Sequence, residues 1–298
     1  MAKQIVKEAS LPMVSFAKFR NEMKHLIEIL LTSYTYPKRK RNLIWGNNNY
    51  EHFGPQYKPD QEIKLHLING RRNDVIVPRS LKEAKTRRDR TRKNAEVFTP
   101  TWVVNAQVNE VDKLYKDDDL QTYLNRRWLE VTCGEAPYIA TRYDMQTGQL
   151  IDLNERVGFL DRKLQRLNNY IHKEDAWIDY AEQSFKACYG FEWNGDSLLI
   201  ARENLLYTFY DYYFSKWDKE PSLSQLESIA KIISYNLFQM DGVKKIVPLS
   251  EEIVIIKEST QRSLFDNDEA EDKVKKQTRS GKHVMIMNWE TNKLERFR

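Results

Sequence analysis

The side chains best placed for chemistry lie in the run Leu129-Glu130-Val131-Thr132-Cys133-Gly134-Glu135-Ala136-Pro137-Tyr138-Ile139. It reads as a buried strand ending in an acid, then a tight turn of small residues around one glycine. Gly134 opens a backbone position to positive φ and to close approach by a ligand. An acid at a strand end, followed by such a turn, is how α/β domains hold an adenosine-containing cofactor at the carboxyl edge of a parallel sheet. Two more acids close apolar runs in the same manner: Glu192 after Tyr189-Gly190-Phe191, and Asp241 after Leu237-Phe238-Gln239-Met240.

These residues need strands and helices to position them. The pattern predicts a strand over 128–131 and helices over 102–114, 156–171, 176–188, 197–213 and 223–236, with Pro100 suited to a first helical turn. Upstream, an amphipathic helix is expected around 16–31. A hairpin is expected where the β-rich segment 62–68 meets Asn69-Gly70 and continues into 74–77. Downstream, 253–256 reads as a strand, the charged stretch 258–282 as a solvated linker, and 283–289 as a final β-like run. Three parts follow: a basic N-terminal extension over 1–93, a core over 94–250, and a linker with C-terminal tail over 251–298.

Composition narrows the class. The 298 residues, 41% hydrophobic and 12% aromatic, can build one large domain or a core with an extension. No apolar run approaches the roughly 20 residues that cross a membrane, and the N-terminus lacks a basic-then-apolar signal segment. Cys133 and Cys188 make no metal-spaced pair, so a reducing, cytoplasmic setting without structural zinc is expected. The net charge of +5 is unevenly placed. Lys38, Arg39, Lys40 and Arg41 form one cluster beside Tyr34, Tyr36 and Trp45. A second gathers Lys82, Lys85, Arg87, Arg88, Arg90, Arg92 and Lys93, diluted by Glu83 and Asp89. Such runs attract phosphate backbones by counterion release, and adjoining aromatics add stacking surfaces. The alternative is a solvated helix face with ion pairs.

Ahead of the glycine turn, at about thirty residues, lies Phe98-Thr99-Pro100. In order and spacing the two segments resemble the amino-methylating DNA adenine methyltransferases of restriction–modification systems. The family's turn runs hydrophobic, Asp, Pro, Ala, Cys, Gly, small, Gly, any, Phe, Leu, and the acid, Cys133-Gly134 and the aromatic–aliphatic close fall in register. The resemblance covers about residues 94 to 241. It implies a Rossmann-like S-adenosylmethionine-dependent core behind a basic, mainly helical N-terminal extension. Phe98, Thr99 and Pro100 would cap the methionine end of the cofactor. Glu130 would meet its amino group, and Thr132, Cys133, Gly134 and Ala136 would form the turn beneath it. Glu192 or Asp241 would hold the ribose, with Glu192 preferred because Ala201-Arg202 and Asn204-Leu205-Leu206 match the family's next helix. Trp193 would flank the adenine. Double-stranded DNA, and a specificity or restriction subunit, are the implied partners, with no membrane.

The chain departs from the family at three places. Ala136 replaces a glycine. Glu135 replaces a small residue beside the cofactor carboxylate, where two like charges about 4 Å apart repel by roughly 4 kcal/mol at an effective dielectric near 20. Glu135 is therefore expected either to point to solvent or to impair binding. Third, the Asn/Asp-Pro-Pro-aromatic segment that holds a flipped base is absent, because no two of the nine prolines are adjacent. The catalytic residues are thus unassigned. They lie near Asp241, or come from a partner, or the chain is a methyltransferase-like DNA-binding subunit without chemistry. A metal-dependent endonuclease reading, from Asp74 with Glu83 and Lys85, is a weaker alternative.

Overall fold

The computed structural model describes residue 20 and the segments 22–35, 41–72, 75–94, 96–97, 99–257 and 274–298. The N-terminal part supplies α1 (Lys24–Leu31), a short antiparallel pairing of β1 (Thr32–Ser33) with β2 (Arg41–Asn42), a series of 3-10 turns, and α2 (Ala84–Asn94). Then α3 (Thr101–Asp112) and α4 (Leu120–Asn125) lead to β3 (Trp128–Glu130). Two helices, α5 (Phe159–Tyr170) and α6 (Glu174–Lys186), connect β3 to β4 (Cys188–Glu192). Another two, α7 (Gly195–Trp217) and α8 (Leu223–Asn236), connect β4 to β5 (Leu237–Gln239). The three strands form a parallel sheet in sequential order, with Trp128 opposite Cys188 and Gly190 opposite Leu237. Parallel neighbours require the chain to return to its starting end, and the helix pairs do this.

The mixed α/β class with a parallel sheet is as expected, and several boundaries follow from identifiable contacts. Ser222 starts α8 through a capping box with Gln225. Asn236 stops α6: its side-chain amide lies within hydrogen-bond distance of the carbonyls of Phe185, Lys186 and Cys188. The predicted helix over 176–188 accordingly ends early, and Cys188 opens β4 instead. Helix α7 is buried along almost its whole length, the signature of a central helix. Its first residue must be glycine, because a Cβ at Gly195 would sit 2.0 Å from the carbonyl oxygen of Ile44.

One continuous core contains Leu26, Trp45 and Ile76 from the N-terminal part together with Leu164, Leu199 and Leu237. On the opposite face of the sheet, Phe191, Phe238 and Met240 pack with Val284, and Ile286 and Phe297 close over them. Ile286 belongs to the C-terminal hairpin of β8 (Met285–Asn288) and β9 (Lys293–Arg296), which Val284 and Phe297 flank and which follows β6 (Glu252–Lys257) paired antiparallel with β7 (Val274–Arg279). No described helix is long and apolar enough to cross a membrane.

Three local expectations need correction. The segment 62–68 is not a hairpin strand. Ile63, Leu67 and Ile68 are all buried in one core, a spacing that suits the 3-10 turn Leu65–Leu67 rather than alternation. Within the charged stretch 258–282, residues 274–279 form β7 rather than a linker, and 258–273 lie outside the described residues. The helix predicted from 156 starts at Phe159, which leaves Arg156 free to pair with Asp211 at 2.8 Å. Of the helix expected around 16–31, residues 20 and 22 and α1 are described and helical, with a break at Met23.

The N-terminal part is tied to the core by Arg202, which is fully buried on α7. Its guanidinium donates to the carbonyls of Leu30 and Thr32 on one side, and to those of Ser234 and Leu237 on the other. Burial holds its pKa down to about 9. Replacing it would leave several interior carbonyls unpaired, each costing about 1–3 kcal/mol. Arg202→Met is therefore expected to lower unfolding stability by at least about 3 kcal/mol in urea titration. A loss under about 1 kcal/mol would show that the tie carries little.

Candidate cofactor and nucleic-acid site

The ends of β3, β4 and β5 bring the three sequence-marked acids to one edge. The turn after β3 is built from alternating left-handed positions: Thr132 at φ 49°, Gly134 at 56° and Ala136 at 60°. Such geometry is strained for residues with a Cβ, by roughly 1 kcal/mol or more. It is held by backbone bonds from Cys133 N to the Phe191 carbonyl at 2.8 Å and from Ala136 N to the Cys133 carbonyl at 2.7 Å. Cys133 packs its sulfur against Gly190, where an added Cβ would lie 3.2 Å away. Ala136 is fully buried, so the position that the resemblance gives to glycine is here filled by a methyl group against the core.

Glu192 closes the turn from the neighbouring strand. One carboxylate oxygen accepts from Gly134 N at 3.0 Å, and the other from both the backbone and side-chain nitrogens of Asn194 at 3.0 Å. An ionised carboxylate offers about four acceptor sites, so roughly one remains for a ligand. Burial pushes its pKa upward, while the amides of Asn194 and Gly134 pull it down. Glu130 folds back into its own turn and accepts from Tyr138 N at 3.3 Å and Ile139 N at 3.1 Å. Those two donors favour the ionised form. Burial outweighs them, and Glu192 adds like charge, so its pKa rises to about 8. Asp241 Oδ1 accepts from Val243 N and Lys244 N within its own turn. Trp193 donates its ring N–H to the Gly46 carbonyl at 2.7 Å, which fixes the ring against the N-terminal part.

Glu135 does not point to solvent. It is 1% exposed and points inward, accepting from Arg79 N at 2.7 Å and the Tyr143 hydroxyl at 2.5 Å. Burial raises its pKa, and Lys82 opposes that rise. Near it, Lys82 Nζ, Glu96 Oε1 and Asn204 Oδ1 are buried with no hydrogen-bond partner among the described residues, Lys82 lying 3.8 Å from Asp196 and Glu96 3.9 Å from Arg79. Native interiors resolve such atoms with ordered water or a ligand.

The basic cluster divides. Arg90 is not available to phosphate: it is 2% exposed, with Nε 2.5 Å from Glu96 and Nη2 2.7 Å from Asp196. Asp196 is fully buried. That burial is outweighed by Arg90 and Lys82, which hold its pKa well below the usual carboxylate range. Lys85, Arg88 and Arg92 are exposed at i, i+3 and i+7 on α2, so they share one face away from this anchor. Arg87 is half-buried, and Arg41 lies 3.8 Å from Glu62. Thr99 and Pro100 are partly buried, with Pro100 at the N-cap of α3. Thr101, next in sequence, accepts from Met145 N beyond the turn at 3.3 Å. Phe98, Lys38, Arg39, Lys40, Asp74 and the Lys93 side chain lie outside the described residues.

Sequence reasoning missed Asn47, Tyr50, Asn194 and Tyr143. Asn47 sits in a Gly-Asn-Asn-Asn turn that predicts only a loop, and its partner Asn194 is 147 positions away. A separate cavity of about 620 Å³ lies between the sheet and the C-terminal hairpin, lined by Leu129, Tyr189, Phe238, Met287 and Trp289 and by no residue of 132–136.

The raised pKa of Glu130 fixes a pH dependence. Its ordinary value is 4.5 and its folded value about 8, so the folded state binds the extra proton between them. The stability this group confers is present below about 4.5 and is lost as pH rises through 8. Wild-type protein should lose on the order of 2–4 kcal/mol relative to Glu130→Gln between pH 5 and 9 in urea titrations, and parallel curves would refute the assignment. No known family model matches this chain, and no curated protein or solved structure is significantly similar to it.

Proposed function

We propose that this chain binds S-adenosylmethionine at the carboxyl edge of its parallel sheet and serves the methylation of adenine amino groups in DNA within a restriction–modification system. The observation that carries this reading is the placement of Glu130 and Glu192 at the ends of two adjacent parallel strands and of Asp241 just beyond the third, with Gly134 at positive φ after the first. Open α/β sheets bind ligands outside the carboxyl ends of their strands. Glu192 is the acid with which a ribose would pair, through its remaining acceptor site. Lys82, Glu96 and Asn204, which lie beside Glu135 where the N-terminal part covers the turn, suit the charged amino-acid end of such a cofactor, although Lys82 also faces Asp196 at 3.8 Å and Glu96 faces Arg79 at 3.9 Å. The cofactor would supply the methyl group. The chain's own residues bind and orient it, and α2 draws the DNA backbone alongside through Lys85, Arg88 and Arg92.

No adjacent prolines occur in the sequence, so the group that faces the flipped base is assigned to a partner subunit. A second reading, a DNA-binding subunit without chemistry, is favoured by the engagement of Glu130, Glu192 and Asp241 with their own turns. Calorimetric titration separates the two. Wild-type protein is expected to release heat with S-adenosylmethionine, and Glu192→Ala to weaken binding about tenfold or more through loss of a charged hydrogen bond. Absence of binding by wild-type protein would overturn the cofactor reading.

The DNA contact has its own signature. Removing Arg88 and Arg92 together should weaken duplex binding uniformly across sequences and reduce the slope of log K against log salt by about two. An unchanged slope would place the phosphate contacts elsewhere.

A further inference from the structure

A continuous line of buried hydrogen bonds joins the basic helix to the glycine turn, and the link at its centre is Asn47. Arg90 Nη2 contacts Asp196 Oδ2 at 2.7 Å. The Asn47 side-chain amide lies 3.3 Å from the other oxygen of Asp196 and 2.9 Å from Asn194 Oδ1. Asn194 donates to Glu192 at 3.0 Å, and Glu192 accepts from Gly134 N at 3.0 Å. Every side chain in the line is at most 8% exposed. Tyr50 strengthens the middle by donating to Asp196 at 2.6 Å, and Asn47 fixes its own loop by accepting from Asn49 N at 3.1 Å.

The two ends of the line face different ligands. Arg90 belongs to α2, whose opposite face exposes Lys85, Arg88 and Arg92. Gly134 and Glu192 border the cofactor edge. Binding that orders one end lowers the entropy cost of ordering the other, so long as the line between them is unbroken. A phosphate backbone on α2 fixes the helix, which holds Arg90 on Asp196. Asp196 and Asn47 then hold Asn194, and Asn194 holds the Glu192 carboxylate on the turn.

We propose that Asn47 is a positioning residue that couples nucleic-acid binding on α2 to the order of the cofactor turn. Resting on the DNA-binding reading above, the coupling makes cofactor and duplex raise each other's affinity by the same factor, as linkage requires.

Amide hydrogen exchange of the full chain tests this without cofactor, using a mixed-sequence 20-base-pair DNA duplex as the probe. Saturating duplex is expected to slow exchange at the Gly134 amide about fivefold or more, within the range of ordinary allosteric coupling. In Asn47→Ala the duplex should still bind within about twofold of wild type, since no phosphate contact is lost, while the slowing disappears. Arg90→Lys, which keeps the charge but loses the planar fork, should show the same uncoupling and provides a second route if the first variant folds poorly. Duplex binding without any change at Gly134, or slowing retained in both variants, overturns the coupling alone. A chain that does not bind duplex at all overturns the DNA-binding reading, and the coupling with it.

Discussion

A carboxylate that is removed from water must find donors, and the placement of Glu192 makes that demand at the centre of this molecule. It stands at the end of the middle strand, 7% exposed, where an unpaired charge would cost several kcal/mol. The chain meets the demand from two sides. The glycine turn after β3 supplies the Gly134 amide, and the start of α7 supplies both nitrogens of Asn194. One acid therefore sets the shape of the turn, the register of two strands at their carboxyl ends, and the entry of the central helix. The left-handed backbone at Thr132, Gly134 and Ala136 is the strain accepted in return.

The same logic explains why the N-terminal part packs so closely on the core. Asp196 and Glu135 are buried acids as well, and most of their partners come from that part: Arg90, Tyr50 and Asn47 for the first, the Arg79 amide for the second. Arg202 presents the inverse case, a buried cation satisfied by main-chain carbonyls of α1, β1, α8 and β5. These polar contacts are directional, and they fix how the segments meet at a level that apolar burial alone leaves loose. A basic helix is thereby held beside the sheet edge with its free cations outward, which gives the proposed function its geometry.

Much of this was legible beforehand, and the limits are physical. The strand end at Glu130 and the helix over 223–236 follow from periodicity, and the strand end at Glu192 follows from the family resemblance. The turn at 132–136 was legible from Gly134, although Ala136 in a left-handed conformation was not, because local propensity argues against it. Helix α2 was legible as a charged run. Its division into Arg90 inside and Arg88 and Arg92 outside was not, because nothing in a string of cations marks which one meets a buried acid 106 positions away. The burial of Glu135 was not legible for the same reason. A lone acid next to a presumed ligand carboxylate suggests repulsion, and only the folded chain reveals Tyr143 and the Arg79 amide as its partners. Asn47 carried no signal beyond that of a loop.

The account stands on the carboxyl edge of β3 and β4 being a nucleoside-cofactor site, and a crystal structure of the chain grown with S-adenosylhomocysteine tests that most directly. It predicts electron density for the ribose against Glu192, the backbone of Gly134 in van der Waals contact with the ligand, and the amino-acid end directed toward Lys82 and Glu96. Density at another place on the surface, or an edge that excludes the compound at saturating concentration with Glu135 and Arg79 unmoved, would contradict it.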